Sequence, residues 1–203
     1  MDIIELTTTA IIGSNSLNKD KVSKQLEKQF KNSIILNNNP KYNYTVREYI
    51  LNYTDKINSI KFKTYKIDKL FDFSFNTLSM GEKQLVQIVT MLLSNYETII
   101  INDALSMITN NRIFRRLKTY KNKTIIYITS NKEDIVYFKR TMLLDNKVLL
   151  HDDTIKLMEE EKSFKLIFQD LPFMASLSLK LKYYDLINKP ILNMDRMVDK
   201  IWK

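Results

Sequence analysis

The sequence predicts an α/β fold built on a largely parallel sheet, and two observations carry that prediction. Two unbroken β-branched runs, Thr98 to Ile101 and Thr124 to Thr129, have the character of strands covered on both faces. Segments of helical period alternate with strand-like runs, as in βαβ units. Glycine is nearly absent, with 2 in 203 residues against about fourteen at average usage. Such scarcity implies that the two survivors sit where φ-permissive backbone is hardest to replace.

The elements follow in order. Ile3 to Ile12 is apolar and β-branched and runs directly into Gly13, giving strand, then loop. Asp20 to Phe30 is helical, with Val22, Leu26 and Phe30 at four-residue spacing. Ser33 to Leu36 is a short strand ending in Asn37-Asn38-Asn39-Pro40. Thr45 caps a helix, with Glu48 three residues on to complete a capping box. Residues 57 to 76 carry no clear period. Ser79 and Glu82 form a second capping box, opening a helix to about Leu93 with Val86, Val89 and Leu93 on one face. A helix is expected at Asn111 to Tyr120. Met142 to Leu144 and Val148 to Leu150, joined at Asp145-Asn146-Lys147, form a hairpin. After Thr154 the pattern is helical, including Phe173 to Tyr184 and Met194 to Trp202.

Composition excludes several classes of chemistry. No cysteine is present, so disulfides, thiolate metal sites and Cys nucleophiles are ruled out. His151 is the only histidine, which rules out a multi-histidine metal site. The first residues lack the basic and apolar stretches of a signal peptide, and no apolar run reaches the length of a membrane span. An intracellular protein, soluble or peripheral to a membrane, is therefore expected. The net charge of +9 leaves two readings open. One is an anionic partner such as nucleic acid or a membrane face; the other is a lysine-rich compositional bias without functional meaning.

The chemistry-bearing motifs come in a telling order. Gly13, Ser14, Asn15, Ser16, Leu17, Asn18, Lys19 and Asp20 read as a worn P-loop of the form G-x-x-x-x-G-K-[ST], with Asn18 at the second glycine and Asp20 at the hydroxyl position. Leu78-Ser79-Met80-Gly81-Glu82-Lys83-Gln84 resembles the L-S-G-G-[QE] signature of ATP-binding-cassette (ABC) ATPases. Asn38 stands where that family has its Q-loop glutamine. Ile99-Ile100-Ile101-Asn102-Asp103-Ala104-Leu105-Ser106 is similar to the Walker B strand and D-loop, with Ser106 setting the frame. Asn102 then stands at the Walker B aspartate and Asp103 at the catalytic glutamate. Ser130 occupies the switch-histidine position after Ile125 to Thr129. Asp170-Leu171-Pro172-Phe173, the leucines at 177, 179 and 181, and Met194 to Val198 resemble the tail of energy-coupling-factor importer ATPases.

That resemblance implies a P-loop NTPase-like domain over residues 1–155, with a reduced helical subdomain at about 41–94 and a helical C-terminal extension at 156–203. It also implies a nucleotide pocket made by Gly13 to Asp20, Asn38, Asn102 and Ser130, with Asp103 as the catalytic group; on chemical grounds a bound Mg²⁺ could take Asp20 as a direct ligand. The pocket is worn on physical grounds. A carboxylate at Asp20 about 4 Å from a phosphate charge is repelled by roughly 4 kcal/mol at an effective dielectric near 20. Asn102 carries no charge to support Mg²⁺, Asp103 is shorter than glutamate, and Ser130 lacks an imidazole. The signature run, Leu78, Ser79, Met80, Gly81, Glu82 and Gln84, is better kept. In the family it grips the ATP of a neighbouring subunit.

The expectation is a degenerate cassette that binds ATP and Mg²⁺ poorly alone and pairs with a paralogous ABC ATPase as a heterodimer. A transmembrane coupling subunit would dock near Asn38 to Glu48, placing the chain at the inner face of the cell membrane, peripheral and cytoplasmic. Two alternatives stay open: a nucleic-acid- or ribosome-associated ABC-like protein, and a structural subunit that binds no nucleotide. The short stretch between the Walker motifs and the single cassette count against nucleic acid as a partner.

Overall fold

A computed structural model describes residues 8–14, 17–37, 41–55, 57, 59–103, 122–145 and 147–202. The expected helix at 111–120, and Asn15, Ser16, Asn38 and Ala104 to Ser106, lie outside the described residues. The chain divides into two compact units, residues 1–19 with 126–203, and residues 20–125.

In the first unit, strand β1 (Thr9–Gly13) is buried at all five positions. It pairs in parallel with β4 (Thr124–Thr129), with Ile12 opposite Thr129. On its other side it pairs in parallel with β5 (Arg140–Asp145), with Gly13 opposite Leu144. The expected hairpin is present: β5 runs antiparallel to β6 (Lys147–Asp153), with an irregularity between Leu143 and Leu144. A 3-10 turn at Lys132–Tyr137, unannounced by any period, follows β4.

The second unit holds the parallel pair β2 (Ser33–Asn37) and β3 (Thr98–Asn102), with Asn37 opposite Asn102. Helix α1 (Lys19–Gln29) buries Leu26, as the spacing predicts. The stretch without clear period resolves into helix α3 (Ser59–Thr64) and 3-10 turns at Ile67–Leu70 and Phe75–Thr77. Ahead of it lies α2 (Val46–Leu51), capped by Thr45 and Glu48 as expected. Helix α4 (Met80–Leu93) is buried more widely than one face: Val86 to Leu92 are all buried, polar Gln87 and Thr90 included.

The C-terminal residues of the first unit form α5 (Thr154–Glu159), α6 (Glu161–Lys165), α7 (Phe173–Tyr183) and α8 (Met194–Ile201). Among the described residues, no helix is long and apolar enough to cross a membrane.

The glycine expectation needs correction. Neither glycine has positive φ; that conformation falls to Asn32, Lys66, Asp103 and Asp185, with φ of 54°, 61°, 54° and 58°. Gly13 is required instead by close approach. A Cβ there would lie 2.5 Å from the Leu144 carbonyl oxygen and 2.7 Å from Leu17 Cδ2. The register that sets Gly13 beside Leu144 leaves no room for a side chain.

Candidate functional site

Parallel pairing brings the carboxyl ends of neighbouring strands together, and in open α/β sheets ligands bind there. In the first unit, that end of β1 carries the loop from Gly13 to Lys19. The Leu17 N–H donates to the Ser14 carbonyl at 2.9 Å, closing a turn. Lys19 Nζ donates to Ser130 Oγ at 3.1 Å. The β1–β4 register explains that contact, since Ser130 directly follows Thr129. The P-loop lysine and the switch-position residue are thus brought together.

The loop carrying Ser130 is itself tied down. Asn131 caps the following 3-10 turn by accepting the Glu133 N–H at 3.1 Å. The Glu133 carboxylate accepts the Phe173 N–H at 3.0 and 3.1 Å, at the start of α7. Lys132 Nζ donates to the Asp170 carbonyl at 3.1 Å. Asp170 and Phe173 belong to the tail motif singled out in the sequence.

In the second unit, Asn102 closes the buried strand β3 and is 6% exposed. Its Nδ2 donates to Asp20 Oδ1 at 2.6 Å. Asp20, the second residue of α1, is exposed, and its other carboxylate oxygen has no hydrogen-bond partner among the described residues. The two positions that depart furthest from the motif therefore touch. Asp103 follows in left-handed backbone at φ 54°, a conformation that costs a non-glycine residue about 1–3 kcal/mol and tends to occur at functional sites. Among the described residues, no group of three or more His, Cys, Asp or Glu side chains forms a metal cage.

The signature segment has its own geometry. Leu78 is buried, Ser79 is exposed, and Met80, Gly81 and Glu82 are half-buried, so α4 begins at the surface. The capping box is fully formed. The Ser79 N–H donates to Glu82 Oε2 at 2.9 Å, Ser79 Oγ donates to the same oxygen at 2.6 Å, and the Glu82 N–H donates to Ser79 Oγ at 3.4 Å. The Ser79 hydroxyl, and its backbone N–H after it, hold the Glu82 carboxyl below the usual glutamate value. The N–H groups of Met80 and Gly81 have no intrahelical acceptor. Gln84 is fully buried.

Sequence reasoning missed the structure that leads into this helix. Residues 44–47 form backbone bonds with 71–75: Val46 N–H to the Phe73 carbonyl at 3.0 Å, Arg47 N–H to Phe71 at 2.9 Å, and Phe75 N–H to Tyr44 at 2.9 Å. Arg47 also meets Asp72 at 3.0 Å and lies 5.0 Å from the Phe71 ring centroid. Tyr42, Tyr44, Tyr49 and Phe75 pack ring against ring, at centroid separations of 4.8 to 6.4 Å. The density of tyrosines between 42 and 53 was the available signal.

No protein-family model matches the chain. Among curated proteins, it is 26% identical over 148 residues to the energy-coupling factor transporter ATP-binding protein EcfA1 of Mycoplasma mobile, covering 70% of this chain and 53% of that protein. It is 26% identical over 172 residues to the energy-coupling factor transporter ATP-binding protein EcfA of Malacoplasma penetrans, covering 81% and 58%. The chain thus spans little more than half the length of these relatives. Among solved structures, a bacterial Atm1-family ABC exporter with ATP bound superposes with a TM-score of 0.63 at 16% identity, covering 76% of this chain and 35% of that one. The archaeal ribosome recycling factor aABCE1, in complex with a ribosomal stalk protein, gives 0.62 at 20%, covering 77% and 37%. The curated likenesses support assignment to the ABC ATPases. The structural likenesses, at such low identity, speak for the fold alone.

Proposed function

We propose that the chain is a degenerate ATP-binding-cassette subunit of an energy-coupling-factor-type importer. It completes the ATP site of a competent paralogous ATPase and couples hydrolysis there to a transmembrane partner. The sequence likeness to importer ATPases motivates the transport role. The observation that carries the partner-serving role is the open start of α4, where Ser79, Met80 and Gly81 are presented at the surface. Its orphan N–H groups and helix dipole suit an anion such as a terminal phosphate.

The chain's own pocket contributes less to catalysis. Lys19 supplies positive charge to phosphate, and Gly13 allows the loop to turn tightly against β5. The oxygen donors fit Mg²⁺, which takes one or two carboxylates plus phosphate oxygens. Asp20 would hold it, and the bound ion would neutralise phosphate charge. Asp103 is the candidate to orient water, and Ser130 supplies a hydroxyl where an imidazole would be stronger. Slow or absent turnover at this pocket follows. The membrane partner docks near Asn38 to Glu48, with the chain peripheral at the inner face of the membrane. Backbone pairing from there to 71–75 leads directly to Ser79.

The test is turnover by the chain alone and mixed with its partner ATPase. The expected result is negligible hydrolysis alone and partner hydrolysis that falls at least tenfold when Ser79 and Gly81 are replaced. Vigorous Mg-ATP turnover by the isolated chain would refute the reading.

A further inference from the structure

Asp20 and Asn102 each depart from the P-loop and Walker B patterns, and as separate losses they need have no relation to each other. The structure gives them one. The usual pair is a hydroxyl on the helix and a carboxylate at the strand end; here the carboxylate is on α1 and a carboxamide closes β3. The carboxamide donates to the carboxylate at 2.6 Å, the short, charge-assisted form of the bond. An aspartate at 102 would instead set two carboxylate oxygens against each other at that distance. A serine at 20 would be too short to fill the same contact.

We propose that this is an exchanged pair, in which the pair's single negative charge has moved from strand to helix, with Asn102 as the positioning residue. An unheld aspartate could rotate away from an incoming phosphate. Asp20 is held by one oxygen, so its charge stays fixed at the start of α1, directly after the P-loop lysine in the chain. A metal-free polyphosphate meets fixed repulsion there. A divalent cation placed between the two turns that repulsion into a bridge, ligated by the Asp20 oxygen that Asn102 leaves open. The pocket therefore selects the metal complex of a nucleoside triphosphate and rejects the metal-free form. This rests on the reading of Gly13 to Asp20 as a nucleotide site.

The experiment is equilibrium binding of a fluorescent ATP analogue to the full chain, by anisotropy, in Mg²⁺ and in EDTA. Wild type is expected to bind at least about tenfold tighter in Mg²⁺. Asp20→Asn, isosteric and uncharged, should bind better than wild type in EDTA and lose most of the metal enhancement. Asn102→Ala should weaken the apparent affinity for Mg²⁺ at fixed nucleotide by about 10–100-fold, the usual effect of removing a group that orients a metal ligand. Asn102→Asp, assayed by melting temperature, should be destabilised in EDTA and recover with Mg²⁺ or when combined with Asp20→Ser. Circular dichroism identifies any variant that fails to fold, and Asp20→Asn then carries the test. Equal wild-type binding in Mg²⁺ and EDTA, or an Asp20→Asn variant with undiminished metal enhancement, overturns the exchanged pair while leaving a nucleotide site in place. Binding in neither condition overturns both.

Discussion

Among the described residues, four non-glycine residues hold left-handed backbone, and in a chain with 2 glycines each is a place where glycine was available in principle and is absent. Lys66 is the plainest case. It is exposed and precedes the 3-10 turn at Ile67–Leu70 without any side-chain cap, so its side chain offsets none of the steric cost. Lys66→Gly should therefore stabilise the chain by about 1 kcal/mol, seen as a rise in melting temperature of roughly 2–4 °C for a chain of this size. No such gain is expected at Asn32, whose amide donates to the Asn95 carbonyl at 3.1 Å. His151 offers a second residue-scale test. Both ring nitrogens are buried without a hydrogen-bond partner among the described residues, and burial first, then nearby Arg140, lowers its pKa below 6.5 against a weaker opposing pull from Asp152. The folded chain therefore binds the proton less readily than the unfolded one. That contribution to stability is complete above pH 6.5 and falls away as pH drops towards the folded midpoint. As the only histidine, it gives one imidazole titration by NMR, with an expected midpoint under 6.5; a midpoint above that value would contradict the buried, neutral ring.

The helix that begins at Ser79 is the element on which the functional argument turns, and its capping box makes the argument sharper. The Ser79 hydroxyl already gives its proton to Glu82, so a phosphate that recruits this hydroxyl competes with the cap. Ser79→Ala should cost about 1 kcal/mol of stability by denaturant melts and also abolish stimulation of a partner ATPase. If only stability changes, the hydroxyl is a cap and nothing more. The pH dependence has a definite sign. Glu82 sits below the ordinary 4.5 in the folded chain, so the cap acts in full above that value and is lost as pH falls through the folded midpoint. The segment leading into this helix is anchored by Phe75, which is fully buried among Tyr42 and Tyr49. Phe75→Ala should destabilise by about 3–5 kcal/mol, measured by urea unfolding, with loss of coupling to a membrane partner before loss of fold.

For the whole molecule, thermal melting separates a nucleotide-binding subunit from an inert one. Mg-ATP at about 100 times its Kd should add about 2.7 kcal/mol, or roughly 5–10 °C. The strands were legible in the sequence because apolar β-branched runs such as Thr98 to Ile101 have few alternatives to burial in a sheet. Both capping boxes were legible because they are written within four residues. The stretch at 57–76 was not, since its last part, 71–75, is held by pairing with residues 44–47, and no local period records a partner that distant. The same limit governed the site. Asp20 and Asn102 were each legible as departures from a motif, but their mutual contact spans 82 positions along the chain and appears only when α1 and β3 are folded together. The conformation of Asp103 was hidden for another reason: aspartate tolerates left-handed backbone better than most residues but does not require it.

The three residues after Ser130 join two things that the chain keeps far apart in order. At one end is the hydroxyl that receives the P-loop lysine; at the other, a carboxylate and an ammonium clasp the first turn of the tail. Displacing the start of α7 would therefore be felt at the lysine's contact, only three residues of chain away. A neighbour bound to that helix would thus reach Lys19 without touching it.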